Sequence, residues 1–140
     1  MICETYSTEE TKMIGNNIGR NAKPDDVICL VGDLGVGKTI ITKGIAEALR
    51  INENITSPTF TIVNEYEGVN LNLYHFDTYR IVDENEMWEI GFEEYLYKKG
   101  ICVIEWADTI KNLIPKNSIW IYIEKDLSKG EEYRKITIEN

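Results

Sequence analysis

The chain lacks several features that define large classes of proteins. Its three cysteines are odd in number and have no C-x-x-C spacing, which argues against disulfides and against a zinc site. Its apolar runs are far shorter than the ~20 residues that span a bilayer. Residues 1–6 have neither the basic nor the long apolar region of a signal peptide. We therefore expect a cytoplasmic protein with no membrane association.

Positive charge is also scarce. The sequence has 15 lysines and arginines against 24 acidic residues, so its formal net charge is −9. Because nucleic-acid binding relies on Lys and Arg to neutralise phosphates, we expect any RNA to be held by another subunit. No repeat, low-complexity segment or Pro/Gly/Ser-rich linker divides the 140 residues, and this predicts a single domain over residues 1–140.

One glycine-rich motif stands out against these absences. Residues 32–39 read G-D-L-G-V-G-K-T, which fits the phosphate-binding P-loop, G-x-x-x-x-G-K-[ST], at every defined position. An apolar run, Val27–Val31, precedes it as a predicted strand. The backbone N–H groups of such a loop surround phosphates, Lys38 reaches the β- and γ-phosphates, and the Thr39 hydroxyl holds Mg²⁺. The motif predicts a bound triphosphate with Mg²⁺.

The rest of the chain predicts alternating helices and strands. Ser7–Glu10 has the S-x-x-E form of a capping box, which opens the first helix. Helices are predicted over residues 8–21, 39–49, 83–90 and 92–99. Further strands are predicted over residues 60–66, 70–77, 101–106, 118–124 and 134–138. The expected fold class is α/β, a three-layer P-loop NTPase-like sandwich with a mixed, mostly parallel central sheet.

Two acids compete for the magnesium-binding role that a second strand must supply. Glu105 ends a continuous apolar strand, which is the usual setting for this acid in P-loop proteins. Asp77 ends a strand that alternates polar and apolar residues. Either carboxylate can approach Mg²⁺ directly or through water. We favour Glu105 for the metal because of its strand type.

Three side chains near these acids carry further expectations. His75 is the only histidine and shares a strand face with Asp77, and we favour a structural or hydrogen-bonded role for it. Arg80 is the best internal candidate for a transition-state arginine, with a structural ion pair as the alternative. Trp106 is expected in the core or partly exposed near the site.

Four motifs together resemble one protein family. They are G-D-L-G-V-G-K-T at 32–39, T-S-P-T-F at 56–60, H-F-D-T-Y-R at 75–80 and V-I-E-W-A-D at 103–108. Their order, spacing and the chain length are similar to those of the TsaE (YjeE) family, and the resemblance covers essentially the whole chain. It implies a small bacterial P-loop ATPase, weakly active alone, that works with TsaB and TsaD. The implied process is threonylcarbamoyladenosine modification of tRNA next to the anticodon, with tRNA contacted only through the complex.

The resemblance also implies roles for single residues. The implied ATP-binding residues are Thr8, near the adenine, then Gly35, Val36, Gly37, Lys38, Thr39, Ile40 and the late Arg134. Thr39 and Glu105 would ligate Mg²⁺, while Asp77 would organise the metal or the attacking water. The implied catalytic set is thus Lys38, Asp77 and Glu105. Ser57 and Thr59 would belong to a switch-like loop near the γ-phosphate.

Two other functions use the same loop. A small-molecule kinase is the main alternative, but such enzymes need a mobile lid rich in basic residues, and no arginine-rich segment lies between Glu105 and Asn140. A GTPase-like switch is disfavoured because no N-K-x-D motif is present to recognise guanine. Phosphorylation of a small alcohol would support the first alternative. Tight GTP binding with exclusion of ATP would support the second.

Overall fold

The computed structural model describes residues 1–33, 35–58 and 61–140, and these form helices around one sheet. The α-helices of this part are α1 (Thr8–Asn21), α2 (Lys38–Ala48), α3 (Asn85–Glu89) and α4 (Phe92–Leu96). Its strands are β1 (Ile2–Thr5), β2 (Val27–Val31), β3 (Val63–Tyr66), β4 (Leu73–Asp77), β5 (Ile101–Glu105), β6 (Ile119–Lys125) and β7 (Arg134–Glu139). Short 3₁₀ helices cover Ala107–Leu113 and Leu127–Lys129.

The sheet is parallel in its centre and antiparallel at both sides. Its strand order is β1-β7-β6-β2-β5-β4-β3. β2 pairs in parallel with both β5 and β6, and β5 pairs in parallel with β4. The β1–β7, β6–β7 and β3–β4 ladders are antiparallel. This topology confirms the predicted α/β fold with a mixed sheet, and it brings the ends of β2, β4 and β5 to one edge.

Two apolar clusters separate the three layers. Alternate residues of β2 enter different clusters, because successive strand side chains point to opposite faces. Ile28 packs in one cluster with Ile41 and Ile45 of α2. Cys29 packs in the other cluster with Phe92 of α4. The sheet is therefore covered by α1 and α2 on one face and by the shorter helices on the other.

A capping box fixes the start of α1, and a close approach at Gly44 brings α1 against α2. The Ser7 hydroxyl accepts the Glu10 N–H at 3.1 Å, while the Glu10 carboxylate accepts the Tyr6 N–H at 2.7 Å. The return bond thus falls one residue before the cap. A Cβ on Gly44 would overlap the carbonyl oxygen of Lys12, so glycine allows the two helices to touch.

Several boundaries differ from the predicted ones. β1 was not predicted, because a four-residue strand with the sequence I-C-E-T has no clear period, and its partner among the described strands is the distant β7. β4 begins at Leu73, since Asn72 accepts the Gly68 N–H and belongs to the hairpin loop. The strand predicted to begin at Phe60 is β3, and Phe60 lies outside the described residues. Among the described helices, none is long and apolar enough to cross a membrane.

Candidate nucleotide-binding site

The P-loop joins β2 to α2 and has the backbone geometry that an anion site requires. Gly35 and Gly37 have φ values of 73° and 112°, a region that glycine adopts without strain. α2 begins at Lys38, directly after the loop, so the unpaired N–H groups and the positive end of its dipole face the loop. Leu34, inside the motif, lies outside the described residues.

Lys38 is almost completely buried beside this loop, at 5% exposure. Its ammonium donates to the Gly32 carbonyl at 2.6 Å and lies 3.7 Å from the centre of the Trp106 ring. Burial lowers the pKa of Lys38, while the negative charges of Glu105 and Asp77 act in the opposite direction. A compact cation is thus held between the P-loop and the end of β5.

A chain of oxygen atoms links the P-loop to the carboxylate that ends β5. The Thr39 and Ser57 hydroxyls are 3.1 Å apart, and the Ser57 hydroxyl donates to Oε2 of Glu105 at 3.4 Å. The same Oε2 lies 2.6 Å from Nε2 of His75, which is wholly buried on β4. One residue from each of the four sequence motifs therefore meets the others at this edge of the sheet: Thr39, Ser57, His75 and Glu105.

The two competing acids are direct neighbours. Asp77 and Glu105 are paired in register at the ends of β4 and β5. Burial raises the pKa of Asp77, the nearby Glu105 charge adds to the rise, and the Tyr79 N–H, which donates to Asp77 at 2.9 Å, opposes it. Because these strands are parallel and adjacent, both carboxyl groups face the ammonium of Lys38 from the same side.

These groups line a cleft of about 370 Å³. Its walls are Gly35, Gly37, Lys38, Thr39, Ile40, Ser57, Asp77, Glu105 and Trp106. A larger groove of about 720 Å³ lies on the other side of the loop, along β6 and β7. Three acids and one lysine line that groove, which opposes phosphate binding: Asp33, Glu124, Glu139 and Lys125. The smaller cleft has the chemistry of a nucleotide site.

Comparison with known proteins identifies the family. The family model described as "Threonylcarbamoyl adenosine biosynthesis protein TsaE" matches residues 5–136. The chain belongs to the TsaE family. The resemblance inferred from the four sequence motifs is thereby confirmed.

Individual TsaE proteins are similar over nearly the whole chain. The tRNA threonylcarbamoyladenosine biosynthesis protein TsaE of Bacillus subtilis is 45% identical over 133 residues, which cover 95% of this chain and 81% of the relative. The protein of the same name from Treponema pallidum is 38% identical over 138 residues and covers 99% of both chains. The crystal structure of Bacillus subtilis YdiB is similar with a TM-score of 0.78 and 41% identity, covering 99% of this chain and 83% of that one.

Some residues that the TsaE resemblance implies at the nucleotide lie outside the cleft. Thr8 is exposed and its hydroxyl donates to Glu132 at 2.7 Å. Arg134 lies on β7 and its Nε donates to the Val36 carbonyl, so it contacts the backbone of the P-loop, although it does not line the cleft. Val36 itself is buried. Thr59 lies outside the described residues.

Arg80 is exposed and lies beside the TsaE cleft. It shares a smaller pocket with Asp77 and Ser57, which also line the cleft. Among the described residues, no acid lies within ion-pair distance of Arg80. The structural ion pair considered from the sequence is therefore not formed in the described part of the chain.

The Thr78 hydroxyl, which shapes the backbone at the end of β5, was not predicted from the sequence. The wholly buried Thr78 hydroxyl lies 3.0 Å from the Glu105 carbonyl and 2.8 Å from the Trp106 carbonyl. Trp106 has φ 60°, a left-handed conformation that costs energy in a non-glycine residue and that these contacts support. The ring then lies under Lys38 and against Tyr79, at 4.9 Å between ring centres. The available signal for Thr78 was its position inside the H-F-D-T-Y-R motif.

The donor atoms of this TsaE site suit Mg²⁺. Thr39, Asp77 and Glu105 offer hard oxygen ligands, which Mg²⁺ prefers. Within the described residues, no group of three or more His, Cys, Asp or Glu side chains is arranged to hold a metal alone. Mg²⁺ usually takes one or two carboxylates, water and substrate phosphates. The residues present fit a magnesium ion that is shared with a nucleotide.

Proposed function

We propose that this chain is an ATP-binding, weakly ATP-hydrolysing subunit that works with TsaB and TsaD in threonylcarbamoyladenosine modification of tRNA. Membership of the TsaE family supports the role in tRNA modification. One observation carries the ATPase part of the proposal. The cation of Lys38, the hydroxyl of Thr39 and the carboxylate of Glu105 line the same cleft, and Ser57 links the last two.

In this proposal the P-loop residues bind the triphosphate. Backbone N–H groups from Gly35 to Ile40 surround the phosphates at the start of α2, and Lys38 contacts the β- and γ-phosphates. Thr39 and Glu105 hold Mg²⁺, which when bound neutralises charge that develops on the phosphates. Arg134 keeps the loop in this shape through the Val36 carbonyl.

Asp77 has the position and the environment of a group that handles the attacking water. It lies next to Glu105 across the β4–β5 ladder and lines the cleft. Burial raises its pKa, which makes its carboxylate a stronger proton acceptor than an exposed aspartate. In this proposal Asp77 orients the attacking water, and Glu105 would be a ligand of Mg²⁺.

In this proposal the protein partners complete the site. Arg80 is exposed beside Asp77 and Ser57. TsaB and TsaD that bind at this rim bring the positive charge of Arg80 to the phosphates. The net charge of −9 favours a protein partner over direct tRNA contact, because RNA affinity depends on neutralising phosphates. The site of action is the cytoplasm.

Release of inorganic phosphate from ATP tests this proposal. The purified chain is expected to hydrolyse ATP slowly with Mg²⁺, not at all with a chelator, and faster when TsaB and TsaD are both added. Incubation with γ-labelled ATP and added small alcohols tests the kinase alternative, because a kinase moves the label to the alcohol and releases no inorganic phosphate. Failure of TsaB and TsaD to bind the chain or to change its ATP hydrolysis would refute the proposed function.

A further inference from the structure

Within residues 1–33, 35–58 and 61–140, His75 contacts the Glu105 carboxylate through its ring but does not itself line the cleft. Its ring is wholly buried on the same face of β4 as Asp77. In the sheet His75 pairs with Val103, two residues before Glu105, so its side chain reaches diagonally to the end of β5. The resulting contact, 2.6 Å from Nε2 to Oε2 of Glu105, is much shorter than the Ser57 contact to the same oxygen, at 3.4 Å.

The two oxygens of Glu105 have different surroundings. Oε2 contacts both the His75 ring and the Ser57 hydroxyl. No hydrogen bond joins Oε1 to any residue of the described ranges, while Glu105 lines the cleft. A carboxylate held by one oxygen keeps its other oxygen available for a ligand. The contact thus gives Glu105 a fixed orientation.

The chemistry of the carboxylate gives the direction of this bond. A carboxylate offers only acceptor atoms, so the ring nitrogen that contacts it carries the hydrogen. Nε2–H of His75 therefore donates to Oε2 of Glu105. Nδ1 of His75 is buried and has no partner among residues 1–33, 35–58 and 61–140, so this bond is the ring's contact with the described residues.

We propose that His75 is a positioning residue that holds Glu105 by Oε2 and so presents Oε1 to the magnesium ion of the bound nucleotide. This inference rests on the proposed function. It assigns the only histidine to the metal site, although the ring itself does not line the cleft. Partners that orient a metal ligand from behind typically change metal affinity or activity ~10–100-fold when they are replaced.

The test compares two replacements at position 75 with a matched control. His75→Leu removes the donor, whereas the amide of His75→Gln can place a donor near the position of Nε2. Phe76→Leu is the control, because Phe76 is equally buried on the same strand and faces the opposite cluster. ATP binding is measured by calorimetry with and without Mg²⁺, and the Mg²⁺ concentration for half-maximal hydrolysis is measured in parallel.

The expected result is a selective loss of the magnesium effect. His75→Leu should raise the required Mg²⁺ concentration by ~10–100-fold, leave metal-free ATP binding unchanged, and differ from both His75→Gln and the control. A folded His75→Leu protein with the Mg²⁺ dependence of the wild type would overturn the inference. If the wild type shows no Mg²⁺-dependent ATP binding, the proposed function fails instead.

Nitrogen NMR of the wild type gives an independent result. Because the chain has a single histidine, the imidazole signals of the ¹⁵N-labelled protein need no assignment. The inference predicts a hydrogen on Nε2 in the free protein. A ring protonated at Nδ1 alone would overturn it. This measurement does not depend on the folding of any variant.

Discussion

Lys38→Met removes one charge from the proposed nucleotide site and keeps most of the side-chain length. In the described structure the ammonium donates to the Gly32 carbonyl and lies against the Trp106 ring. The negative charges of Glu105 and Asp77 also attract it. A hydrogen bond from a charged group contributes about 1.5–3 kcal/mol, and a cation–π contact contributes about 0.5–2 kcal/mol. Their loss destabilises the folded protein.

Removal of the buried charge has the opposite effect and stabilises the folded protein. Because burial lowers the pKa of Lys38 below its ordinary value, the charged form costs folding free energy at every pH below the folded pKa. Methionine removes this cost. The two effects oppose each other, so we expect the free energy of unfolding to change by less than the loss of the contacts alone would give.

In ATP binding, no opposing gain offsets the loss of the Lys38 charge. A charge-assisted bond to the β- and γ-phosphates contributes about 1.5–3 kcal/mol, which corresponds to about 10- to 150-fold weaker ATP binding in Lys38→Met. Calorimetry with MgATP gives the affinity, and urea denaturation gives the stability. Lys43→Met, at an exposed position of the same helix, is the control. A folded Lys38→Met protein with the ATP affinity of the wild type would refute the P-loop assignment.

Three further variants test separate parts of the account. Asp77→Asn should abolish turnover and raise the free energy of unfolding at neutral pH, because asparagine carries no buried charge. This gain in stability over the wild type should disappear below about pH 3.8, where Asp77 is protonated in both the folded and the unfolded chain. The stability that protonated Asp77 gives the wild type is lost as pH rises through its raised pKa. Arg134→Lys should weaken ATP binding through a less ordered loop, since lysine cannot reproduce the guanidinium contacts with Val36 and Glu131. Gly44→Ala should lower the free energy of unfolding, because overpacking costs about 1–3 kcal/mol and the gain in helix propensity is only about 1 kcal/mol.

Each of these expectations has a clear contrary result. Equal acid and neutral stability differences for Asp77→Asn would show that burial does not penalise its charge. Unchanged ATP affinity in Arg134→Lys would separate the bracing contact from nucleotide binding. A Gly44→Ala protein more stable than the wild type would show that the two helices are not in close contact, with Lys43→Ala as the exposed control on the same helix.

Local signals in the sequence were enough for much of the fold. The capping box at Ser7 and the apolar run Val27–Val31 predicted α1 and β2 with the bounds that the structure has. The alternation of residues 70–77 correctly placed His75 and Asp77 on one face of β4, because strand side chains alternate strictly. These features depend on a few neighbouring residues, and so they can be read from one sequence.

Contacts between distant segments were beyond such signals. The bond from His75 to Glu105 joins residues 30 positions apart, and no period or spacing encodes which oxygen it reaches. The cation–π contact of Lys38 with Trp106 depends on the left-handed backbone at residue 106, which Thr78 supports from the position directly after β4. β1 was missed for the same reason, since its partner in the described sheet is β7, which lies far away in the sequence.

In the proposed function, ATP hydrolysis in the cleft at Glu105 is required for threonylcarbamoyladenosine modification of tRNA. The most direct test of this requirement is the threonylcarbamoyladenosine content of tRNA, measured by mass spectrometry in cells depleted of the native protein and supplied with a variant. Glu105→Gln keeps the size of the side chain and removes its charge, so the account predicts a folded protein that fails to restore the modification. Restoration to the wild-type level by Glu105→Gln would contradict the account.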